Sequence, residues 1–147
     1  LAILSAVAGR TDAERQHVQE RICNLEKGDL DTNIELALER WFSPEFRQNH
    51  PERVQKRIAE LRATSPEGYF QAYRVFVLSD LAEHLSQIQC ETLVMTGEYD
   101  PGSNVRMARL MQEKIPAAQL EILPGLRHSV LVEAPQLIAE KLDSFLR

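Results

Sequence analysis

TLVMTGEYDPGSNVRMARLMQEKIPAAQLEILPGLRH, residues Thr92–His128, contains two changes of hydrophobic period, and they decide the fold. Thr92–Thr96 and Leu120–Leu123 are short apolar runs of β character, whereas the segment between them, about Asn104 to Ile115, repeats at helical spacing through Val105, Ala108, Met111 and Ile115 before Pro116 ends it. A strand, a helix and a second strand in that order make the strands parallel neighbours. Parallel neighbours bring their following loops to one edge of the sheet. Asp100 lies in the first of those loops and His128 in the second, so the two meet although they are distant in sequence. A carboxylate against an imidazole fixes the ring's tautomer and supports the imidazolium formed when the ring takes a proton. The pair therefore reads as the acid and base of a catalytic triad. Alone, each residue has a plainer reading: Asp-Pro-Gly is good turn chemistry, and most loop histidines are simply hydrogen-bonded in place.

Outward from this unit, Pro124–Val130 forms the loop that carries His128. Ala134-Pro135 opens a closing amphipathic helix through Leu137, Ile138, Leu142 and Leu146. On the upstream side Asp80–Ile88 reads as one more short helix. Before it the pattern is helical throughout. Thr11-Asp12-Ala13-Glu14 has capping-box spacing and starts a helix with Val18, Ile22 and Leu25 on one face that stops near Gly28. A second helix begins at Asp31 or Thr32 and runs through Ile34, Leu38 and Trp41; a third starts at Asn49 to Pro51; a fourth covers Glu67–Leu78 with Tyr69, Phe70, Tyr73 and Phe76. Leu1–Val7, an apolar run bounded by Gly9, suits a buried parallel strand. The expected fold is α/β: three parallel strands with flanking helices, in residues 1–10 and 86–147, with an all-α block, residues 11–85, inserted after the first strand.

Composition narrows the function. With 147 residues, 44% hydrophobic and 27% charged, the chain has the make-up of a globular domain. A net charge of -5 without a dense basic tract argues against nucleic acid or an anionic membrane as partner. No apolar run approaches membrane-spanning length, and LAILSAVA lacks the basic residues of a signal peptide, so a cytoplasmic location is expected. Cys23 and Cys90 are too few for a disulfide framework and lack metal-ligand spacing; both are expected to be buried or half-buried thiols. No metal or cofactor is expected. A start at Leu1, in mid-strand, suggests a fragment.

Asp80-Leu81 with Leu85 and Ile88, then TLVMTGEYD, IPAAQLEILPGLRH, EAP and the closing helix together resemble the capped α/β-hydrolases, in particular the branch that includes 3-oxoadipate enol-lactonases. The resemblance implies that Asp100 is the triad acid and His128 the general base, that Gly97 permits a tight exit from its strand, that Pro124 and Gly125 shape the turn before His128, and that the helical block is the cap. Two departures are Glu91, where a proline usually precedes the strand, and Ser129, where a larger apolar residue often follows the histidine; Ser129 would alter the pocket wall. The family's G-x-S-x-G nucleophile motif is absent from these residues, as are the oxyanion donors that accompany it. On the resemblance that motif lies ahead of Leu1.

The other candidates are weaker. His17, His50 and His84 sit in polar helical settings and read as surface positions. Ser5, Ser43 and Ser103 lack an elbow that would expose a nucleophile, and Ser103 reads as a cap of the Asn104 helix. Trp41 and Tyr73 are expected to line an apolar substrate pocket, while most other aromatics pack the helical block. Arg106 and Arg109 read as solvated positions. The expected activity is cleavage of a small-molecule ester or lactone in the intact protein, with these 147 residues inactive alone. The alternative is a non-catalytic interaction module, whose sheet edge invites association with itself or with an N-terminal half.

Overall fold

A computed structural model describes residues 1–26 and 30–147 of the chain. The expected end of the first helix near Gly28 lies outside the described residues. Three parallel strands, β1 (Ala2–Leu4), β2 (Thr92–Gly97) and β3 (Ala118–Leu123), form one sheet in the order β1-β2-β3. Thr92 pairs with Ala118 and Gly97 with Leu123, so β2 and β3 end level with each other. Eight helices are described: α1 (Asp12–Glu26), α2 (Leu30–Trp41), α3 (Pro44–Asn49), α4 (Pro51–Ala63), α5 (Pro66–Leu78), α6 (Val105–Lys114), α7 (Val130–Glu133) and α8 (Pro135–Leu146).

The chain divides into two compact units. One contains residues Leu1–Gly9, Arg40–Ser43 and Asp80–Arg147, and holds the sheet; the other contains Arg10–Glu39 and Pro44–Ser79 and is helical.

In the sheet unit β2 is buried along its whole length, with the apolar Leu93–Met95 flanked by the buried Thr92 and Thr96. Alternate side chains of β2 enter opposite faces. Val94 joins Ala8, Leu85, Ala108, Met111 and Ile115, so one face is covered by α6. Leu93 and Met95 join Leu123, Val130 and Ile138, with Leu137, Leu142 and Phe145 of α8 packed around them. Each of the fully buried Val, Leu, Ile and Met side chains contributes about 1.5–3 kcal/mol relative to exposure. A sheet clamped on both faces gives the loops after β2 and β3 a rigid base.

In the helical unit the capping box forms as read: Thr11 N–H donates to Glu14 Oε2 at 2.7 Å, and Glu14 N–H donates to Thr11 Oγ1 at 3.3 Å. The Ser65 hydroxyl likewise accepts from Gly68 N–H at the start of α5. At the other end of α5, the buried Arg10 donates to the carbonyls of Phe76 and Ser79 at 3.2 and 3.0 Å, with its guanidinium 4.4 Å from the Phe76 ring centroid. A cation there satisfies orphan carbonyls and faces the negative end of the helix.

Several expectations are corrected. The first strand stops at Leu4 because Ser5 adopts φ 45°, a left-handed turn that takes the chain off the sheet. Between the second helix and the one expected from Asn49 to Pro51, Pro44 begins an extra helix, α3, since a proline at the first helical position loses no hydrogen bond. Asp80–Ile88 holds only a 3-10 turn, Leu85–Gln87. Cys23 and Cys90 are both exposed, where burial was expected. Among the described residues no helix is long and apolar enough to cross a membrane.

Candidate active site

The site grows from the level ends of β2 and β3. After Gly97 the chain hugs the loop that follows β3: Glu98 N–H donates to Leu123 O at 2.9 Å and Tyr99 N–H to Leu126 O at 3.0 Å. Such close approach needs a residue without a side chain. A Cβ on Gly97 would run into the carbonyl oxygens of Arg127 and Leu126, the latter at 2.5 Å. On the opposite loop Gly125 turns with φ +73°, and its N–H donates to Glu98 Oε2 at 3.0 Å. The two loops are therefore stitched together before either catalytic candidate is reached.

Asp100 closes a turn through its own N–H to Gly97 O at 3.1 Å. Its Oδ1 accepts from the backbone N–H groups of Gly102 and Ser103, each at 2.9 Å. The other oxygen, Oδ2, accepts from His128 Nδ1–H at 2.8 Å. An ionised carboxylate can only accept, so this contact places the imidazole proton on Nδ1 and leaves Nε2 as the ring's base. Side-chain exposure separates the two residues: 0% for Asp100 and 39% for His128. The acid is sealed behind the ring, and the ring has a face towards solvent. This is the orientation in which an imidazole takes a proton at Nε2 while a buried carboxylate stabilises the resulting cation.

Ser103, expected to cap α6, does not do so. Asn104 is the cap, accepting from Met107 N–H at 3.1 Å, while the Ser103 carbonyl accepts the Thr96 hydroxyl at 2.6 Å. Asparagine's longer carbonyl reaches the third helical N–H, which frees Ser103 to tie the Asp100 turn to β2.

No protein-family model matches the chain. Among known proteins it is similar to an (E)-2-((N-methylformamido)methylene)succinate hydrolase of Acinetobacter baylyi, at 34% identity over 99% of this chain and 55% of that protein. It is also similar to 3-oxoadipate enol-lactonase 1 of the same organism, at 30% identity over 74% of this chain and 40% of that protein. Among solved structures, an α/β-hydrolase enzyme from a Medee basin deep-sea metagenome library superposes with a TM-score of 0.84 at 18% identity, over 99% of this chain and 55% of that one. The chain belongs to the α/β-hydrolases. It spans about half the length of the curated relatives it matches.

Within this α/β-hydrolase chain the residues singled out by sequence fall in two places. Asp100, His128, Ser129 and Trp41 all lie in the sheet unit, since Arg40–Ser43 is grouped with the strands. Half-buried Trp41 ends α2, and its carbonyl accepts from Ser129 N–H at 2.9 Å, directly beside His128. Tyr73 lies in the helical unit, on α5, where its hydroxyl accepts from Arg21 at 3.1 Å and its ring stacks on Tyr69 at 6.1 Å between centroids. His17, His50 and His84 are exposed, as are Arg106 and Arg109. Two residues that hold the site together were not singled out by sequence: Glu98, through Gly125, and Glu133, which accepts from Ser43 N–H at 2.8 Å and Arg127 N–H at 3.0 Å. Glu133 is part of the EAP segment, and that was its only signal.

Proposed function

We propose that this chain supplies the acid and base of a serine-type hydrolase that cleaves a small-molecule ester or lactone, with the nucleophile contributed by a segment outside these 147 residues. The observation that carries this reading is the 2.8 Å contact from His128 Nδ1 to the fully buried Asp100 carboxylate. His128 Nε2 would take the proton of a serine hydroxyl as it attacks the substrate carbonyl. The imidazolium, stabilised by Asp100, would then protonate the departing oxygen, and the neutral ring would activate water against the acyl-enzyme. Every step uses the same nitrogen. An enol-lactonase among the relatives favours a lactone. Trp41 and Ser129, both in the sheet unit beside His128, are the residues proposed to contribute to the substrate pocket, and the chemistry needs no metal or organic cofactor.

A base without its nucleophile does not form an acyl-enzyme. Purified, the 147-residue chain is expected not to turn over p-nitrophenyl acetate above the buffer rate. Robust turnover that disappears in His128→Ala would show that the nucleophile lies within the chain and would overturn this assignment.

A second reading concerns partners and is favoured by β1, which lies at one edge of the sheet, with the neighbouring Leu1 side chain 52% exposed. An edge strand offers unpaired N–H and C=O groups along one side. Self-association through β1, or pairing with an N-terminal half, is expected. Sedimentation velocity at micromolar concentration should detect species larger than the monomer; a single well-folded monomer would count against it.

A further inference from the structure

The geometry points to Glu133 as the positioning residue of His128. Three successive peptide N–H groups around the histidine are each held by a separate acceptor. Arg127 N–H donates to Glu133 Oε1 at 3.0 Å, His128 N–H to Arg40 O at 3.4 Å, and Ser129 N–H to Trp41 O at 2.9 Å. The acceptors are themselves connected, because the second oxygen of Glu133 accepts from Ser43 N–H at 2.8 Å. The result is a closed ring that runs from Glu133 through Arg127, His128 and Ser129 to Trp41 and Ser43, and back to Glu133. Within α7 the Glu133 N–H donates to Ser129 O at 2.9 Å, which fixes the carboxylate relative to the loop it holds.

The chemistry of the ring calls for a carboxylate. Two N–H donors converge on the two oxygens of Glu133, and only an ionised carboxylate presents an acceptor at both without carrying a donor. Glutamine would have to turn its amide N–H₂ towards one of the two backbone donors. Alanine would free both. In either case the ring that holds the Arg127–Ser129 backbone is opened, at Arg127 or at Ser43, and Nδ1 is held less firmly at hydrogen-bonding distance from an acid that cannot follow it. Asp100 is fixed by its own bonds to Gly102 and Ser103, so displacement of the loop appears directly as a weakened Asp100–His128 contact.

The inference rests on the Asp100–His128 reading above only for its consequence in catalysis; the positioning itself is testable without activity. In the ¹⁵N-labelled 147-residue chain the His128 Nδ1–H should give a downfield, water-protected imidazole resonance that disappears in Asp100→Asn. Glu133→Ala is expected to lose that resonance while circular dichroism and the thermal midpoint show a folded chain, and Glu133→Gln to weaken it. An unchanged resonance in folded Glu133→Ala overturns the inference. Should Glu133→Ala fail to fold, Glu133→Gln decides in the same way, and unfolding of both variants assigns Glu133 to holding the fold and overturns a positioning role. A parent chain without the resonance would instead break the Asp100–His128 reading. The Glu133 tie would then be judged by amide exchange at Ser43 and Arg127: acceleration in Glu133→Ala supports it, and unchanged protection overturns it.

Discussion

Replacing Gly97 by alanine is expected to destabilise the chain by about 3 kcal/mol, the upper end of what overpacking ordinarily costs. The added methyl meets main-chain atoms: the carbonyl oxygens of Arg127 and Leu126 and, at 2.8 Å, the carbonyl carbon of Leu126. A flexible side chain would move aside, but a backbone that is hydrogen-bonded to Tyr99 cannot retreat without releasing the loop that presents His128. The other site glycines set the scale. At Gly125 a Cβ meets nothing, so Gly125→Ala costs only the left-handed backbone, about 1–2 kcal/mol. At Gly102 the nearest atom to a Cβ is Asp100 Oδ1 at 3.6 Å, an ordinary contact, and little change is expected. Urea midpoints of the three variants should fall in that order. A Gly97→Ala midpoint equal to the parent's would show that the two loops separate easily, contrary to the stitching seen between them.

The parallel topology was legible because it needs only local signals: two apolar runs, a helical period between them, and short connections. From that alone Asp100 and His128 could be placed at one sheet edge, and the capping box at Thr11 could be read from four residues. What escaped the sequence depended on atoms far apart along the chain or on conformations without a residue signature. Serine has no special preference for positive φ, so nothing in Leu1–Val7 announced that Ser5 would end the strand. The helix at Pro44 was not legible, since Ser-Pro suits the end of one helix as well as the start of the next. Trp41 read as part of the helical block because its neighbours are helical, yet Arg40–Ser43 is held to the histidine loop by bonds to residues far along the chain, as in the Ser43–Glu133 contact, which spans 90 positions. Glu133 entered only as part of the EAP segment, with no role of its own. Only the fold shows that its two oxygens meet two backbone donors from different segments.

On the proposed function, asparagine in place of Asp100 is expected to leave the fold intact and to lower kcat of a hydrolase that contains this chain by a factor on the order of 10⁴, the scale known for this exchange in serine proteases. The reason lies in the three donors around the carboxylate. Oδ1 accepts from two fixed N–H groups, Gly102 and Ser103, whereas Oδ2 meets a single imidazole nitrogen. An asparagine keeps its oxygen towards the two backbone donors, because the opposite orientation would set its N–H₂ against both of them in a buried site where each unmet group costs about 1–3 kcal/mol. Its N–H₂ therefore faces His128. Facing a donor, the ring must accept at Nδ1 and carry its proton on Nε2, the one atom that the proposed mechanism needs unprotonated to receive the serine proton. The enzyme would hold its base in place with the wrong nitrogen armed. Imidazole ¹⁵N shifts of the 147-residue variant should report the exchanged tautomer, and kcat of the complete enzyme should fall with little change in KM, since the loss is in proton transfer and not in substrate binding. An Asp100→Asn chain that still carries its proton on Nδ1 would show that His128 takes its tautomer from another partner, and Asp100 would lose its place as the acid.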